Sequence, residues 1–334
     1  MKTYKNLYSS FCSYSNLELA YLKARKGKTL KQYVINFENK LKDNLQILKN
    51  QLEDESYLPR PLTTFIVRDP KTRKISASDF KDRVIHHALC NITEPILSKD
   101  FIYDSFANRK GKGTHTAIER FEEFAKKNKG GYVLKADIRH YFDTVDHKIL
   151  IGILESKIKD PKIMVLVQKI LSNHQINIPG KGMPKGNLTS QFWGNVYLNR
   201  LDQFVKHKLR SKYYIRYVDD FVILSKSKEE LLTWKGEIEN FLAAELKLEL
   251  HPQKTSIYPL SKGITFLGFR IYEHHRLLKR SNIRRIFSRI LYFRSLPFGI
   301  GLLKLNGWLA YAEWANTYNL RKKILTAFIF GVSQ

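Results

Sequence analysis

Apolar residues recur at three- and four-residue spacing in two N-terminal stretches, NLELAYLKARKG and LKQYVINFENKLKDNLQILKNQL. This spacing places the apolar side chains on one face of a helix, so residues 16–56 are predicted to be helical. The pattern changes over residues 57–76, where short apolar runs flank Asp69-Pro70 and predict two strands joined by a basic turn. Helical spacing returns over residues 80–97, so the chain is expected to begin with helices on both sides of one hairpin.

The remaining pattern switches repeatedly between helical and strand-like segments. It predicts, in chain order, a basic loop at 108–115, a helix that ends at Gly130-Gly131, a strand beginning at Tyr132, helices over 147–173 broken near Asp160-Pro161, a Gly- and Pro-rich loop at 178–187, a helix over 188–210, a hairpin over 213–225, a helix over 228–250, a hairpin over 261–280 and helices thereafter. This order predicts an α+β fold in which a β/α/β region with a central hairpin lies between two helical regions.

The chain has 58 Lys and Arg against 31 Asp and Glu, which gives a formal net charge of +27 at pH 7. Hydrophobic residues make up 43% and aromatic residues 13%, so the charge belongs to a folded protein rather than to a disordered tail. A strongly positive surface attracts nucleic acid or an anionic membrane. No apolar run reaches the roughly 18 residues that a membrane span needs, and the N-terminus lacks the apolar core of a signal peptide. No transmembrane helix is therefore expected, and charge alone leaves nucleic acid and an anionic membrane surface both open; the expectation of nucleic acid and no membrane comes from the sequence motifs.

Cysteine usage gives a weak indication of the compartment. Cys12 and Cys90 are the two cysteines, which is too few for a disulfide framework or a four-thiolate zinc site. A reduced, cytoplasmic setting is the expectation.

The positive charge is concentrated near the C-terminus, where residues 261–334 contain 13 Lys and Arg but only Glu273 and Glu313 as acids. Aromatic residues, Trp308 and Trp314 among them, are interleaved with these cations. Basic and aromatic side chains together bind phosphates and stack on bases. The same aromatic residues also suit the core of a small helical domain, and composition does not separate the two interpretations.

Two adjacent carboxylates, Asp219 and Asp220, lie at the tip of the hairpin predicted over 213–225. Paired carboxylates between apolar strands are costly unless a cation neutralises them. Mg²⁺ is the natural candidate, because it prefers such hard carboxylate oxygens. The alternative interpretation is that the two residues form a plain Asp-Asp turn that joins two strands. Asp137 ends the strand that begins at Tyr132, so it is a candidate third ligand of a two-metal site for phosphoryl transfer.

Some of these carboxylates have a simpler interpretation as helix caps. Asp137 precedes Ile138, where a helix would begin, and its side chain would then cap that helix. The cap interpretation suits Asp143 and Asp146 better, because both precede the helix predicted near His147.

Five segments in order, KADIRHYFDTVDH, GMPKGNLTSQ, YIRYVDDFVIL, HPQKTSI and FLGFRI, resemble the motifs of reverse transcriptases. The resemblance covers about residue 60 to residue 272 and rests on the ordered set, since Tyr-x-Asp-Asp alone is a weak signal. It implies a right-hand polymerase with fingers at 1–131, a palm of antiparallel sheet and helices at 132–272, and a small basic helical thumb at 273–334. Within the palm, segment 174–195 is expected to pack toward the fingers.

The resemblance also implies an RNA-directed DNA polymerase that uses two Mg²⁺ ions, with Mn²⁺ as a substitute. Asp137, Asp219 and Asp220 would bind the metals, helped by the backbone carbonyl of Ile138. Lys254 matches the lysine that protonates the departing pyrophosphate, and a solvated lysine is the alternative.

Residues around the incoming nucleotide follow from the same resemblance. Phe142 matches the bulky residue that excludes a ribose 2′-OH and so favours dNTPs over rNTPs, with a core Phe as the alternative. The loop and helix start that contact nucleotide and template comprise Lys185, Gly186, Asn187, Ser190 and Gln191. The basic turn that clamps the triphosphate in the fingers comprises Arg68, Lys71 and Arg73, and the sequence does not show which of the three does so.

Two further segments would contact the nucleic acid. Leu267-Gly268-Phe269 matches the primer-grip hairpin. The basic loop contains Arg109, Lys110 and Lys112, which either track template phosphates or belong to a flexible loop.

The ending Ser190-Gln191, with Asn187 after Gly186, resembles the enzymes of diversity-generating retroelements, as do DFKDRVIHHAL and YLNRLDQFVKHKL. This implies a compact enzyme without RNase H or maturase domains that copies a template RNA into cDNA with errors at adenines. It also implies a small basic helical accessory protein as a partner. Lys185 departs from the small apolar residue typical of that loop.

The nearest alternative is another prokaryotic reverse transcriptase, from a retron, an abortive-infection system or another defence system. An alternative of a different class is a catalytically idle RNA-binding protein, which the intact Asp137, Asp219 and Asp220 argue against. The pairs His86-His87 and His274-His275 make poor metal chelates, because neighbouring residues on a helix or strand face different ways.

Overall fold

The computed structural model describes residues 2–68, 71–174 and 178–331. In these ranges the α-helices are α1 (Tyr8–Cys12), α2 (Tyr14–Arg25), α3 (Gln32–Glu38), α4 (Leu41–Glu53), α5 (Phe80–Leu97), α6 (Thr114–Lys127), α7 (Tyr141–Thr144), α8 (His147–Glu155), α9 (Pro161–Ser172), α10 (Leu188–Gln203), α11 (Lys228–Phe241), α12 (Arg280–Ser295), α13 (Phe298–Ala312) and α14 (Tyr318–Phe330). The strands are β1 (Thr63–Val67), β2 (Arg73–Ala77), β3 (Tyr132–Asp137), β4 (Tyr214–Tyr217), β5 (Asp220–Ser225), β6 (Ser256–Pro259), β7 (Ile264–Phe266), β8 (Phe269–Ile271) and β9 (Arg276–Leu278).

The N-terminal helices form a layer against α5, which has the bounds that its periodicity predicts. Residues 16–56, predicted to be helical in two stretches, form the three helices α2, α3 and α4, and the chain turns after α2 at Gly27, whose φ is +71°. Asn16 ties α2 to α5, because its Nδ2 donates to the carbonyl oxygen of Ala88 at 3.2 Å. The two-stranded hairpin β1–β2 precedes α5 directly in the chain.

A four-stranded antiparallel sheet in the order β4-β5-β3-β6 lies at the centre of the fold. Its inner strands are buried on both faces, because alternate residues join two different hydrophobic cores. Leu134 and Ile223 face the core shared with the N-terminal helices and α10, whereas Val133 and Val222 face the core shared with α6 and β7–β9. Burial on both faces explains why these strands read as continuous apolar runs.

The predicted hairpin over 213–225 is confirmed as β4–β5. Two other predictions need correction. The hairpin predicted over 261–280 is a three-stranded sheet, because the short β9 pairs with β8. The helix predicted over 228–250 ends earlier, where α11 passes into a π-helical turn at Leu242–Leu246. A second π-helical turn, Phe204–Lys208, follows α10. The predicted turn at Asp69-Pro70 lies outside the described residues.

The C-terminal helices α12–α14 have a small core of their own, which includes Ile286, Leu305 and Phe328. Trp308 packs against this core, so it fits the interpretation as a core residue. Trp314 instead stacks on His115 of α6, with ring centroids 3.7 Å apart. The boundaries predicted between fingers, palm and thumb stay predictions.

No helix in the described part of the chain combines the length and apolarity needed to cross a bilayer. Cys12 and Cys90 are both buried as free thiols.

Candidate active site

The β4–β5 hairpin brings Asp219 and Asp220 to one edge of the central sheet. Tyr217 pairs with Asp220 across the hairpin, so Val218 and Asp219 form a two-residue turn. Val218 has a φ of +57°, at a position where such turns usually have Gly. A left-handed conformation at a β-branched residue is strained and persists only where the surroundings impose it. Contacts from outside the turn must therefore hold Val218 in this conformation.

A buried ion pair holds this turn. Arg216 and Asp202 are both fully buried, and Arg216 Nη2 donates to Asp202 Oδ2 at 2.6 Å. Arg216 Nη1 donates to the carbonyl oxygen of Val218 at 3.0 Å. Burial alone lowers the pKa of Arg216, but the pairing with Asp202 outweighs burial and raises that pKa above its ordinary value. The guanidinium is therefore a permanent charge that fixes the backbone just before Asp219.

Three more side chains complete the contacts of this ion pair. Asp202 Oδ1 accepts from Tyr214 Oη at 2.7 Å, and Arg216 also donates to Asn195 Oδ1 at 3.0 Å and to Ser105 Oγ at 3.3 Å. This network was not predicted from the sequence. Its signal is the single Arg in the apolar strand YYIRY, since a cation there needs a buried anion.

Asp137 lies opposite Asp220. It is the last residue of β3, and the β3–β5 register pairs Asp137 with Asp220. The backbone NH of Ile138 donates to the Asp219 carbonyl oxygen at 3.2 Å, which joins the end of β3 to the turn. The cap interpretation of Asp137 is thereby wrong, because the next helix, α7, begins only at Tyr141.

The two other cap candidates differ from each other. Asp146 caps α8, since its side chain accepts from the NH of Ile149. Asp143 instead accepts from Lys185 Nζ at 2.7 Å, so the cap prediction fails there.

The clustered carboxylates repel one another. Burial raises the pKa of Asp219 to about 6, and the neighbouring Asp220 adds to the rise. Burial likewise raises the pKa of Asp220, with Asp137 as the next cause. When the pKa of a carboxyl group is raised in this way, any cation that lies close to it stabilises its ionised form.

Lys254 supplies one such cation. It follows His251, whose NH donates to the Asp137 carbonyl oxygen at 2.7 Å, so this segment is fixed to the end of β3. Lys254 Nζ lies 3.1 Å from Asp137 Oδ2. The predicted lysine and the predicted metal ligand are therefore direct neighbours.

The fit of these residues to Mg²⁺ is chemical rather than geometric. Three carboxylates in a repulsive cluster form the hard-oxygen donor set that Mg²⁺ prefers. Nevertheless, residues 2–68, 71–174 and 178–331 contain no group of three His, Cys, Asp or Glu side chains close enough to hold a metal. Asp137, Asp219 and Asp220 lie at neighbouring strand ends, but their side-chain oxygens are not arranged around a common point as metal ligands are.

The nucleotide loop, defined as residues 183–187, is fixed to the hairpin β1–β2. The NH of Ser76 donates to the Lys185 carbonyl oxygen at 3.0 Å, and the NH of Ser78 donates to Asn187 Oδ1 at 3.1 Å. Gly186 has a φ of +114°, and a Cβ there would lie 2.8 Å from Ile75 Cγ2. Only glycine therefore suits this point of contact between the loop and the hairpin.

The residues that follow the loop lie at the start of α10. Asn187 and Ser190 are buried, whereas Gln191 is half-buried and lines a cavity with His86. Phe142 is half-buried beside Tyr141, with ring centroids 5.2 Å apart, and its carbonyl oxygen accepts from the NH of Met183 at 2.7 Å. Phe142 and the nucleotide loop are therefore neighbours, as the resemblance implies.

The cations predicted to clamp the triphosphate surround the tip of the β1–β2 hairpin. Arg68 follows β1 and Arg73 begins β2, and both are exposed, as is Lys71. The charge of Lys71 contributes to the electrostatic environment of Asp220. The sequence left open which of the three cations clamps the triphosphate, and that stays open, although the structure brings the charge of Lys71 near Asp220.

The basic loop has a different character from the one expected of a phosphate track. Arg109 Nη1 donates to the carbonyl oxygens of Ile102 and Ser105 at 2.7 and 2.8 Å, so this side chain is tied to the segment just before the loop. Lys112 Nζ lies 3.2 Å from the ring centroid of Tyr103. Of the three predicted cations in this loop, Lys110 is the exposed one.

The predicted primer grip forms the tight turn between β7 and β8. Leu267 and Gly268 both have positive φ, +47° and +94°, as a two-residue hairpin turn requires. Phe269 is fully buried, and its ring centroid lies 5.0 Å from that of Tyr311 of α13. The Gly268 carbonyl oxygen accepts from the NH of Lys279 at 3.0 Å, so the turn is joined to the C-terminal helices.

Comparisons with known proteins agree with this arrangement. The chain is 26% identical over 303 residues to the protein YkfC of Escherichia coli, covering 78% of this chain and 79% of that protein. It is 28% identical over 320 residues to the group II intron-encoded protein LtrA of Lactococcus lactis, covering 74% of this chain. It spans only about half, 51%, of the length of LtrA.

Solved structures show the same architecture at low sequence identity. Apo telomerase from Candida tropicalis matches 81% of this chain and 57% of its own with a TM-score of 0.53 at 13% identity. Telomerase from Candida albicans in complex with a fragment of telomeric RNA gives a TM-score of 0.51 at 10% identity, covering 72% of this chain and 51% of its own. These likenesses confirm the predicted α+β fold of the right-hand polymerase type.

A family model described as reverse transcriptase (RNA-dependent DNA polymerase) matches residues 67–271, which include Asp137, Asp219, Asp220 and the nucleotide loop. These residues form well over half of the chain and include all the segments that carried the resemblance. The chain therefore belongs to the reverse transcriptase family.

Proposed function

We propose that this chain is an RNA-directed DNA polymerase that extends a primer along an RNA template by joining dNTPs to its 3′ end. The observation that carries the proposal is the pairing of Asp137 with Asp220 across the central sheet, with Asp219 in the adjoining turn. Repelling carboxylates at a sheet edge suit a site that binds cations and phosphates together.

Asp137, Asp219 and Asp220 would hold two Mg²⁺ ions, with Mn²⁺ as a substitute, and the Ile138 carbonyl would assist. When bound, these ions supply activation of the primer hydroxyl and stabilisation of the leaving oxygen. Lys254 Nζ, which lies beside Asp137, donates a proton to the departing pyrophosphate.

Other residues of the chain bind and select the substrates. The ring of Phe142 excludes a ribose 2′-OH. Arg68, Lys71 and Arg73 at the hairpin tip bind the triphosphate by charge. The net charge of +27 attracts the template RNA and the primer.

Substitution of Asp219 by Asn tests the proposal. Asp219→Asn is expected to lower dNTP incorporation on a primed RNA template by at least about a hundredfold, because it removes a charged metal ligand. Binding of the same RNA, measured by fluorescence anisotropy, is expected to stay near the wild-type value. The matched control is Asp43→Asn, which makes the same chemical change at an exposed position of α4. Primer extension by Asp219→Asn at the wild-type rate would refute the assignment.

We propose further that the enzyme is of the diversity-generating type, with a small basic helical protein as its partner. Ser190-Gln191 after the nucleotide loop supports this subtype, which rests on resemblance to that family. Lys185 adds a physical argument: a Gln there can contact the nucleotide through a planar amide, whereas Lys185 is paired with Asp143 at 2.7 Å. Selection of the incoming nucleotide is therefore expected to be loose.

Sequencing of cDNA made from a defined RNA tests the subtype. Misincorporation is expected to be concentrated opposite template adenine, and Lys185→Gln is expected to lower it while synthesis continues. Equal error rates at all four template bases in the wild-type enzyme would favour a retron or defence-type enzyme instead.

A further inference from the structure

The contact between Trp314 and His115 has no part in the site described above. Trp314 lies in the loop between α13 and α14, and His115 belongs to the first turn of α6. Their ring centroids are 3.7 Å apart and their planes differ by 12°, so the two rings stack face to face. Both side chains are half-buried, at the margin of the core rather than inside it. The stack therefore joins the C-terminal helices to one end of α6.

A bridging arginine holds Trp314 in this position. Arg276 Nε donates to the Trp314 carbonyl oxygen, and Arg276 Nη1 lies 3.1 Å from both carboxylate oxygens of Glu122. Glu122 follows His115 by seven residues, about two helical turns, so both lie on the same face of α6. The NH of Asn316 donates to the Arg276 carbonyl oxygen at 2.9 Å. One face of α6 therefore holds the loop that follows α13 at two points.

The first turn of α6 needs such a contact, because its own sequence stabilises it poorly. The residue before it, Gly113, has no side chain to cap the helix and has a φ of +145°. The turn contains no Asp or Glu that would interact favourably with the helix dipole. By contrast, α5, α8 and α9 each follow an Asp whose side chain accepts from a backbone NH of the first turn. An uncapped first turn opens readily unless contacts from elsewhere hold it.

The same first turn contacts the β4–β5 hairpin. Thr114 Oγ1 and Tyr217 Oη are 3.0 Å apart, so the two hydroxyl groups form a hydrogen bond. Tyr217 is the last residue of β4 and pairs with Asp220, across the turn that contains Asp219. Arg216 and Tyr217 are neighbours on this strand, so their side chains face opposite sides of the sheet. The ion pair of Arg216 therefore holds the turn on one face of the sheet, and α6 holds it on the other.

We propose that Trp314 and His115 are positioning residues, which couple the C-terminal helices to the turn that carries Asp219. The stack keeps the first turn of α6 formed, and Thr114 in that turn then holds Tyr217. Movement of α13 and α14 away from α6 frees that turn and removes one of the two supports of the carboxylates. Primer extension is then fast only while the C-terminal helices lie against α6. This coupling rests on the proposed function, because primer extension is the reaction that it controls.

Single-turnover primer extension by the full chain tests the coupling, with the primer–template bound in advance and the dNTP concentration varied. His115→Ala is expected to lower the maximal rate of dNTP addition at least about tenfold, because a small misplacement of reacting groups costs up to about a hundredfold. The dNTP concentration that gives half the maximal rate is expected to stay near the wild-type value, since the nucleotide loop is unchanged. His115→Phe keeps a ring that stacks on Trp314 and is expected to restore the rate.

A double variant separates positioning from lost stability. Thr114→Ala removes the hydroxyl that contacts Tyr217 and is expected to lower the maximal rate about as much as His115→Ala does. The variant with both changes is expected to lose little more than either single variant, because both break the same connection to Tyr217. A merely structural role would instead lower the melting temperature and leave the rate per folded molecule unchanged.

Two controls match these variants in chemistry. His207→Ala removes an exposed His that follows α10, and Tyr318→Ala removes a ring of α14 that is 73% exposed. Both are expected to keep the wild-type maximal rate. Their unchanged rates would show that the loss in His115→Ala comes from the stack rather than from removal of any ring.

Amide hydrogen exchange gives a readout that needs no catalysis. The NH of Ala117 donates to the Gly113 carbonyl oxygen at 3.1 Å, so its exchange reports on the first turn of α6. Trp314→Ala is expected to speed this exchange at least about tenfold, because the turn then opens locally. Equal exchange in the wild type and Trp314→Ala, or an unchanged maximal rate in His115→Ala, would overturn the proposal.

Failure of the proposed function gives a different result. The wild type would then extend no primer in Mg²⁺, although its RNA and dNTP were present. The exchange comparison would still show whether Trp314 holds the first turn of α6, since that measurement involves no substrate.

Discussion

The β4–β5 and β1–β2 hairpins both present residues predicted to act on the nucleotide, yet their surroundings differ sharply. β5 is buried over Phe221–Ser225, whereas every residue of β1 is exposed. The first hairpin is held by the fully buried Arg216–Asp202 pair. The second is fixed to the nucleotide loop and α10 through two backbone NH groups, those of Ser76 and Ser78.

The difference suits the role that we propose for each hairpin. Carboxylates that bind metal gain most when they are held in place before the substrate arrives, so that reorganisation costs nothing during the reaction. A clamp on the triphosphate must instead admit each dNTP and release pyrophosphate, and such elements come from the less stable parts of a fold. The buried hairpin is therefore suited to fixed geometry, and the exposed hairpin to repeated opening.

The largest expected effect comes from breaking the buried pair. Asp202→Ala leaves the Arg216 guanidinium buried without its anion, which is expected to lower the free energy of unfolding by about 3–5 kcal/mol. Urea denaturation followed by circular dichroism measures the change. The control is Glu249→Ala, which removes the exposed partner of Arg139 and is expected to cost less than about 1 kcal/mol. Similar losses in the two variants would mean that the buried pair does not hold the first hairpin.

The second effect concerns how the free energy of unfolding changes as the pH falls. The two hairpins have different buried groups near them: Arg216 is paired, whereas among the residues that the structure describes none accepts from or donates to His86 Nδ1. The folded-state pKa of His86 is about 3, against about 6.5 in an unfolded chain. The unfolded state therefore takes up the proton first, so stability present above pH 6.5 is lost as the pH falls toward 3. Each pH unit in this window is expected to cost up to about 1.4 kcal/mol.

The measurement is the free energy of unfolding of the wild type and His86→Gln between pH 7 and pH 4.5. The variant is expected to show a shallower slope, because it lacks the titrating ring. Parallel slopes in the two proteins would show that the ring is not forced to be neutral by the fold.

Sugar selection provides a third and smaller effect. If the ring of Phe142 is held as firmly as the β4–β5 hairpin, it fills the space of a 2′-OH. Phe142→Ala is then expected to reduce discrimination against rNTPs by roughly tenfold or more. Single-nucleotide incorporation with dNTP and rNTP measures the ratio. Phe241→Ala, which truncates another half-buried ring, is the control and is expected to leave the ratio unchanged. Unchanged discrimination in Phe142→Ala would make Phe142 a core residue.

The smallest effect belongs to the exposed hairpin. Lys71→Ala removes one exposed cation, so the free energy of unfolding is expected to change by less than about 0.5 kcal/mol. The KM for dNTP is expected to rise about fivefold, which corresponds to about 1 kcal/mol of lost charge interaction with the triphosphate. Steady-state kinetics at fixed ionic strength measures it, with Lys42→Ala on α4 as the control. A lower kcat at constant KM would contradict a role in binding.

The two hairpins also show what the sequence predicts well. Both follow from apolar alternation and turn residues, which are local properties of the chain. The same local signal found α5 with its bounds, and the order of the motifs placed Asp137 and Asp220 at one sheet edge. The hairpin predicted over 261–280 includes Arg276–Leu278 but does not separate these residues as the third strand, β9.

Contacts between distant positions were not predictable in this way. Asp143 read as a cap from its neighbours, yet it pairs with Lys185, 42 residues away in sequence. Even a nearby partner was missed: Arg109, predicted either to track template phosphates or to belong to a flexible loop, donates to the carbonyl oxygens of Ile102 and Ser105 just before that loop. A side chain's partner depends on packing between elements, which composition and spacing do not describe.

Gly186 has a consequence for how this loop tolerates change. Its positive φ and the closeness of Ile75 leave no room for a side chain, so substitution there would push the hairpin away from the loop. The side chain of Lys185, immediately before it, is 37% exposed and forms an ion pair with Asp143. The two adjacent positions therefore tolerate substitution differently. The side chain at residue 185 can change without moving the backbone, while Gly186 keeps the nucleotide loop and the β1–β2 hairpin in contact.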